Sequence, residues 1–262
     1  MLTVLLTIIV TNYPEQNLPK TLIFELPAPF SFAHSLFLAI SALVVAYFFA
    51  RGFLSSGSFN LVALGTGSLV LGLGFLVSQI LGNPPFRGPN HLVAISNLAF
   101  LFAGIFFGAF ATLSVFDRSM KFGKPIITLL VDYIGGILLI ILLILVVEIK
   151  LIPDFFVQGV GPTMLRTQVL GAATVLFSYS SIVLMRNYAR SQISILYWFS
   201  LGLASIAIGF LSGFLGTFPG GPFSWLGRIS LAVGGIYFIA AILVASWATG
   251  AETNDSRELS PN

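Results

Sequence analysis

The acidic residue best placed to do chemistry is Asp132, which stands inside the apolar run LLVDYIGG. A carboxylate deep in hydrocarbon is costly to ionise unless it faces a bundle interior and has a partner. Such a group can bind a proton, a cation or a polar ligand. It can equally form a structural hydrogen bond to a polar neighbour such as Asn97, Ser178 or Tyr179. Both interpretations stay open, and the adjacent Tyr133 fits best as interior or interfacial filler.

Other polar side chains also occur within apolar runs. Ser78–Gln79 close one run, Ser96–Asn97 lie in the next, and the letters SYSS cover Ser178–Ser181. Such side chains hydrogen-bond between helices in membranes, and they can also line a small cavity. The candidate intramembrane site residues are Asp132, Tyr133, Asn97, Gln79, Ser178 and Tyr179.

Four basic side chains lie near one predicted face of the membrane. Arg166 and Arg228 open the fifth and seventh apolar runs, where they could bind an anionic ligand or lipid headgroup, or simply anchor the helices at the interface. His34 and His91 begin the first and third runs and could form a metal or pH-sensing pair if their helices were adjacent. No carboxylate has ligand spacing to either histidine, so we predict no metal site.

Enzyme chemistry is not indicated by the sequence. The chain has no cysteine, which excludes disulfides and thiol catalysis. No nucleophile with a matching base, no metal-ligand cluster and no phosphate-binding loop is visible. We therefore expect a non-enzymatic protein without a cofactor.

Composition indicates whether water or lipid surrounds the chain. Of 262 residues, 57% are hydrophobic and only 8% are charged, against about 25% charged in a soluble globular domain. So few charges cannot cover a water-facing surface, so a lipid bilayer must surround most of the chain. Its basic residues are scattered over loops, which argues against nucleic acid as a partner.

Hydropathy predicts the membrane crossings. A spanning helix needs about 20 mostly apolar residues, and turn-forming stretches such as GNPPFRGPN separate the runs of that length. The candidate spans are residues 32–50, 59–81, 91–115, 125–149, 165–185, 192–215 and 225–248. These runs lack the period-two alternation of β-barrel strands. The predicted fold class is an all-α polytopic membrane protein with seven transmembrane helices.

Basic residues predict the orientation, because lysine and arginine favour the cytoplasmic side. Arg118, Lys121 and Lys124 crowd one short loop between the third and fourth spans. If that loop is cytoplasmic, the N-terminus lies outside and the C-terminus inside. We predict this N-out, C-in arrangement in the cell membrane.

The two halves of the chain resemble each other. Residues 51–80 align without a gap with residues 186–215, and GIFF at Gly104–Phe107 aligns with GIYF at Gly235–Phe238. We interpret this as a 3+1+3 arrangement, in which two parallel three-helix repeats flank a linker helix and are related by an axis along the membrane normal. The alternative is that glycine-rich helices look alike by chance.

Glycines at matching positions predict close helix contacts. Glycines seven residues apart fall on one helix face, and small residues let membrane helices approach each other. Two pairs with this spacing, Gly67/Gly74 and Gly202/Gly209, match between the halves, and within the apolar runs GxxxG occurs at Gly104–Gly108 and Gly209–Gly213. The predicted helix-packing glycines are Gly67, Gly74, Gly104, Gly108, Gly202, Gly209 and Gly213.

The predicted organisation has five segments. Residues 1–31 form an N-terminal interfacial or extracellular segment, because the opening run MLTVLLTIIV is too short to span. Residues 32–115 form the first repeat, 116–164 the linker helix with its loops, and 165–248 the second repeat. Residues 249–262 are predicted to be a disordered cytoplasmic tail.

Two familiar seven-helix families are similar in plan, and the residues argue against both. Microbial rhodopsins need a lysine in the last helix for retinal, and residues 225–248 contain none. Sugar transporters of the SWEET and PQ-loop type carry helix-breaking prolines within their repeats. The repeat helices of this chain lack them, which argues against that transport mechanism.

A third group shares local sequence features. The stretch AYFFARGFLSSGSFNLVALGTGSLVLGLGFLVSQILG (Ala46–Gly82) resembles small archaeal membrane units with an aromatic-basic helix end, a polar turn and a glycine-rich second helix. FAHSLFLAIS (Phe32–Ser41) is similar to the start of the seven-helix modules that precede PAS and histidine kinase domains in archaeal sensors. The resemblance covers most of residues 30–250 and implies an input module. Only ATGAETNDSRELSPN follows Trp247, so we expect any signal to pass through a partner.

The leading expectation is therefore a non-enzymatic integral membrane protein. It would be a sensor-like module or an accessory subunit that acts through helix packing, partner association or small-ligand binding. A membrane protein partner or a second copy of the chain is expected beside it. The alternative is a small-solute or proton-coupled transporter that uses Asp132.

Overall fold

The protein is described by a computed structural model that covers residues 28–82, 88–115, 124–157, 160–216 and 221–258. Within these ranges, seven helices are long and apolar enough to cross a membrane. They are α1 (Ala28–Ser56), α2 (Phe59–Gly82), α3 (Pro89–Val115), α4 (Pro125–Glu148), α5 (Met164–Ser191), α6 (Ser194–Leu215) and α7 (Pro222–Glu258). The prediction of a multi-pass, all-α membrane fold is confirmed at this level.

Local sequence explains where several helices begin and end. Gly57 follows α1 with a φ of 66°, a backbone conformation that glycine adopts without strain. Pro125 opens α4, where its missing N–H is not needed. Gln192 ends α5 in the left-handed conformation, and its N–H donates to the carbonyl of Tyr188 across 2.7 Å. The short connections after α1 and after α5 place α2 against α1 and α6 against α5.

Six of the helices form a closed ring, in the order α1, α2, α3, α5, α6 and α7, with α7 returning to contact α1. We call the end at which α1, α3, α5 and α7 begin the upper end, and the opposite end the lower end. Helix α4 stands outside the ring against α2, with further contacts to α3 and α1. Only 22% of its most apolar stretch is buried, so most of its surface faces lipid.

Phenylalanine side chains fill the centre of the ring. Phe199 stacks on Phe238 with ring centroids 4.9 Å apart, and Phe49 meets Phe199 edge-on at 5.2 Å. Phe100 lies against Phe210 at 4.4 Å. Stacked and edge-on arrangements are both favourable for aromatic rings. The phenylalanine cluster, to which every helix of the ring contributes, consists of Phe49, Phe75, Phe100, Phe107, Phe177, Phe199, Phe210 and Phe238.

Glycine sets the separation of α2 from α3 and, in the same way, of α6 from α7. A Cβ on Gly67 would lie 2.6 Å from the ring of Phe107, and a Cβ on Gly202 would lie 2.6 Å from the ring of Phe238. Both distances are well inside van der Waals contact. Each helix pair therefore has a phenyl ring seated directly on a glycine.

A second glycine on each of α2 and α6 makes a further close contact. A Cβ on Gly74 would overlap the methyl group of Ala99, and a Cβ on Gly209 would lie 3.3 Å from the carbonyl oxygen of Gly227. The two helix pairs are therefore close over about two turns.

The GxxxG glycines differ in how closely they approach the neighbouring helix. Gly104 and Gly108 face α5, and a Cβ on either would lie 3.1 Å or 3.2 Å from Leu176, which is a tight contact. A Cβ on Gly213 would lie 3.6 Å from Leu170, an ordinary van der Waals distance. The contact at Gly213 therefore does not require glycine.

The connection between α4 and α5 forms a small antiparallel hairpin of β1 (Phe156–Val157) and β2 (Gly161–Pro162). Asn90, at the start of α3, holds this connection. Its Nδ2 donates to the Asp154 carboxylate across 2.7 Å, and its Oδ1 accepts from the N–H of Phe155 across 2.8 Å. Since Phe155 is fully buried, the connection is anchored over the upper end of α3.

Several predicted segments compare differently with the structure. The prediction of a disordered tail is wrong over residues 249–258, because α7 continues to Glu258. Extending an existing helix needs no new nucleus, and ATGAETNDSRE contains no proline. Residues 1–27, 116–123 and 259–262 lie outside the described residues, and with them most of the N-terminal segment and the cluster of Arg118 and Lys121.

The glycine contacts generate a stability prediction. Gly67→Ala and Gly202→Ala should each lower stability by about 1–3 kcal/mol, the usual cost of overpacking, because the new methyl group would overlap Phe107 or Phe238. Gly135→Ala is the matched control, since a Cβ there meets nothing within 4 Å. Thermal unfolding in one detergent measures all three, and equal losses would contradict the prediction.

Candidate functional site

Asp132 has a hydrogen-bond partner on a neighbouring helix. Oγ1 of Thr66, on α2, donates to Oδ2 of Asp132, on α4, across 2.7 Å. Thr66 is fully buried and Asp132 is half-buried. Both residues lie about 11 Å along their helices from the lower end, at about 1.5 Å per residue, which is inside the hydrocarbon. The partner is therefore Thr66, not Asn97, Ser178 or Tyr179.

Tyr133 joins the same contact from the next position on α4. Its hydroxyl donates to the carbonyl oxygen of Ala46, on α1, across 2.6 Å. The hydroxyl occupies the space that a side chain at Gly65 would need. Glycine at position 65 therefore lets Tyr133 reach past α2 to α1, and Tyr133 is an interhelical hydrogen-bond donor rather than a filler.

Two polar bonds and two close glycine contacts thus hold α4 against the ring. Besides Gly65, Gly136 faces Thr66, and a Cβ on Gly136 would lie 3.3 Å from its Cγ2. Hydrogen bonds and small residues are the usual means of helix association in lipid. The α4 contact site consists of Ala46, Gly65, Thr66, Asp132, Tyr133 and Gly136.

The chemistry available to the α4 contact site is limited. Its carboxyl group can bind or release one proton. Among the described residues, no lysine, arginine or histidine lies within ion-pair distance of Asp132. In the same ranges, no three histidine, aspartate or glutamate side chains gather to hold a metal ion. The arrangement can therefore fix a helix or exchange a proton.

Tyr179 lies at a different contact, and Ser178, the half-buried residue before it on α5, is not at the α4 contact site. The Tyr179 hydroxyl is 3.3 Å from Oγ1 of Thr112, which joins α5 to α3. Nearer the lower end of the same helix pair, Nδ2 of Asn187 donates to Oγ of Ser114 across 3.0 Å. Tyr179 and Asn187 therefore serve the contact between the two halves of the chain.

Gln79 and Asn97 lie near the upper end, where they are 8% and 6% exposed. In the described part of the chain, Nδ2 of Asn97 is enclosed by protein without a hydrogen-bond partner. The same holds for Nε of Arg166, Nη1 of Arg228 and Oγ of Ser230. Sequence reasoning identified three of these residues but missed Ser230, because a serine in an apolar helix commonly bonds its own backbone.

Asn97 and Arg166 lie directly above the phenylalanine cluster. Phe100 and Phe210 meet across the ring at 4.4 Å. Three residues from Phe100 towards the upper end is Asn97, and three residues from Phe210 towards that end is Gly213, about one helical turn in each case. Arg166 reaches this level from α5, because its Nη2 lies 4.0 Å from the Cβ position of Gly213.

Helix α7 packs against α6 and α1 near the upper end. The Cβ position of Gly227 lies 3.6 Å from Cβ of Ser212. The Arg228 guanidinium lies 5.6 Å from the centre of the Trp225 ring, and the Arg228 carbonyl oxygen is 2.5 Å from Nε2 of His34.

The two histidines have different partners. His34 bonds to the backbone of α7 at Arg228. Nε2 of His91 lies 3.6 Å from Oε2 of Glu148, which links α3 to the upper end of α4. The interactions therefore tie each histidine to a separate helix contact and do not pair one histidine with the other.

Comparison with protein-family models, with curated proteins and with solved structures found no match. The resemblance to archaeal sensor modules stays a prediction. Function must therefore be argued from the residues themselves.

The Asp132–Thr66 bond generates a second prediction. Thr66→Val keeps the side-chain shape but removes the donor, and it should cost about 0.5–2 kcal/mol of stability. In an Asp132→Leu background the same change should cost much less, because the acceptor is already gone.

Thermal unfolding of the four proteins in this cycle measures the coupling. Thr174→Val is the matched control, since its hydroxyl bonds the Leu170 carbonyl of its own helix across 2.8 Å. Equal losses from Thr66→Val in both backgrounds would mean that the hydrogen bond does not hold α4.

Proposed function

We propose that the chain is a non-enzymatic, multi-pass protein of the cell membrane. It works as a sensor-like module or accessory subunit that binds a small ligand or associates with a membrane protein partner or a second copy of itself. The observation that carries the proposal is the phenylalanine cluster, which fills the centre of the ring. A filled centre suits a module that transmits contacts between helices.

The packing around the cluster supports this proposal. Transporters and channels have polar groups or ion sites lining a cavity near the midplane. Beside the cluster, a cleft between α1, α6 and α7 has room for only about one water molecule, at about 10 Å³. Its lining is wholly apolar and consists of Val45, Phe48, Phe49, Ile195, Phe199, Ala241 and Ile242.

The proposal includes the 3+1+3 internal repeat. Two observations support it. Gly67 of α2 seats Phe107 of α3, and Gly202 of α6 seats Phe238 of α7, at positions that the sequence alignment pairs. The ring order also maps onto itself when α1, α2 and α3 are exchanged for α5, α6 and α7. Under this proposal, α4 is the linker that restores the orientation of the second unit.

The N-out, C-in orientation is likewise proposed. Four basic side chains at the lower end are exposed, as expected for the cytoplasmic side. They are Arg51, Lys124, Arg186 and Arg190.

A transporter is the second candidate, and Asp132 is the observation that favours it. A carboxyl group at this depth with one neutral donor as partner resembles the proton-carrying acids of membrane transporters. In that case the ring would have to open during the cycle, and α4 would move relative to α2.

Cysteine accessibility tests the proposed closed module. The native chain has no cysteine, so Ala103→Cys and Ala173→Cys, both at fully buried positions, each introduce one thiol. In reconstituted protein, neither thiol should react with a water-soluble maleimide while the exposed control Arg190→Cys reacts fully. Reaction of the interior thiols would contradict the closed module.

Proton flux in proteoliposomes tests the transporter. With a trapped pH-sensitive dye and an imposed pH gradient, the wild-type protein should give no more flux than empty liposomes. Flux that Asp132→Asn abolishes, without a matching loss of thermal stability, would establish the second candidate instead.

Orientation is tested with the same cysteine-free background. Met164→Cys marks the upper end, where Met164 is 77% exposed, and Lys124→Cys marks the lower end. A membrane-impermeant maleimide should label Met164→Cys on intact cells and Lys124→Cys only after permeabilisation. The reverse pattern would overturn the N-out orientation.

A further inference from the structure

The carboxyl group of Asp132 is only partly satisfied within one chain. Its Oδ2 accepts the hydrogen bond from Thr66, and among the described residues its Oδ1 forms no hydrogen bond or ion pair. Oδ1 is also not one of the enclosed polar atoms in that part of the chain, so it opens to the outside of the protein, which at this depth is lipid. An aspartate in a membrane helix normally faces a bundle interior. The interior around Asp132 is therefore incomplete in a single copy.

Asp132 belongs to a stripe of α4 that runs beside the face packed on the ring. The buried residues of that face are Gly136, Ile140, Leu143 and Val147. The residue before each of them is turned about 100° around the helix and is exposed or half-buried. Alternating spacings of four and three residues keep such a set on one side of a helix. The α4 stripe consists of Thr128, Asp132, Gly135, Leu139, Leu142 and Val146.

Gly135 leaves the α4 stripe open to a close approach. It is exposed, and a Cβ there would meet nothing within 4 Å, so no described residue of the same chain requires glycine at this position. It lies three residues, about one helical turn, from Asp132. Small residues let the backbones of membrane helices approach each other. A close approach is what the short side chain of Asp132 needs to reach a neighbouring helix.

We propose that two copies of the chain associate through their α4 stripes, so that Asp132 meets Asp132 of the partner subunit and the two carboxyl groups share one proton. Both copies cross the membrane in the same direction, so the twofold axis runs along the membrane normal and the two α4 helices lie parallel. Like residues therefore meet at the same depth. A protonated carboxyl group donates to a carboxylate, whereas two charged carboxylates would repel each other.

The chemistry of the stripe favours a second copy over an unrelated protein. A carboxyl group that carries the shared proton is complementary to its own kind, so no basic side chain is needed opposite it. The other polar side chain of the stripe is Thr128, whose Oγ1 donates to the carbonyl oxygen of Lys124 across 3.2 Å. The remaining residues are glycine and aliphatic side chains, which pack equally well against themselves.

The inference rests on the proposed function and deepens it, because it names the partner and the contact through which the module associates. The two can fail separately. Labelling of Ala103→Cys from water would overturn the closed module, whereas a closed, folded protein that stays monomeric would overturn only the present inference.

Cysteine cross-linking of the purified protein in proteoliposomes tests the contact, since the native chain has no cysteine. Leu142→Cys lies in the α4 stripe, and the matched control Ile137→Cys lies about 140° away around the helix. The native side chains are 54% and 43% exposed. Copper phenanthroline should convert Leu142→Cys into a disulfide-linked dimer and leave Ile137→Cys mostly monomeric. The yield should change little when the protein is diluted with lipid, because a specific dimer does not depend on random collisions.

Second substitutions in the Leu142→Cys background identify the residues that hold the dimer. Gly135→Leu and Asp132→Leu should each weaken it about tenfold, the first by blocking the approach and the second by removing the shared hydrogen bond. Asp132→Asn keeps a donor and an acceptor, so it should retain most of the dimer. Ala172→Leu adds the same bulk at an exposed position of α5 and should leave the dimer unchanged.

Size-exclusion profiles and unfolding temperatures establish that each variant is folded, and the Gly135→Leu result stands even if Asp132→Leu does not fold. The proposal is overturned if Leu142→Cys cross-links no better than Ile137→Cys, because the α4 stripe would then face lipid alone. It is also overturned if Gly135→Leu leaves the dimer unchanged, or if Asp132→Asn disrupts it as fully as Asp132→Leu. A cross-link to a different protein in native membranes, with none between purified copies, would assign the stripe to that protein instead.

Discussion

Every polar group that this chain carries into hydrocarbon has to be satisfied inside the protein, because the lipid offers no hydrogen bonds. The helices meet this constraint for the backbone. Many hydroxyl groups meet it within their own helix, as when Ser68 donates to the carbonyl of Leu64 and Ser180 to that of Leu176. Thr66 and Tyr133 are different, because they bond across helices. Polar side chains therefore hold α4 to the ring, while the ring itself is built mainly by close packing.

That close packing cannot be driven by the hydrophobic effect between helices, because lipid tails are as apolar as leucine. It depends on dispersion contacts, which need a close fit. Glycine beneath a phenyl ring provides such a fit at Gly67 and at Gly202. The same rings then meet in the centre of the bundle, so one set of side chains both spaces the helices and fills the interior.

The sequence predicts the membrane crossings well, because a run of about 20 apolar residues matches the thickness of the bilayer's hydrocarbon core. It also identifies Asp132, since a carboxylate in such a run is rare. It does not predict Thr66 as the partner. Helix α4 is apolar nearly all round, so its pattern gives no preferred face, and its position outside the ring is a property of the whole assembly.

Other features could not be predicted from the sequence, for related reasons. The buried, unpartnered polar atoms among the described residues were only partly predicted, because Ser230 looks like any serine until its neighbours are known. The helical continuation of α7 to Glu258 was missed, because a polar composition was interpreted without the preceding helix that extends into it. In each case the missing information is tertiary context rather than local propensity.

The contact between α1 and α7 joins the first and last helices of the described chain. During co-translational insertion, the ribosome must therefore deliver all seven segments before the circle can close. Until then, the side of α1 that contacts α7 has no protein neighbour. The imidazole of His34 also lacks the Arg228 carbonyl oxygen that it contacts in the complete structure. Closing the ring thus brings together the first and last described helices, so a chain truncated before α7 would have α1 and α6 as the free ends of an open arc.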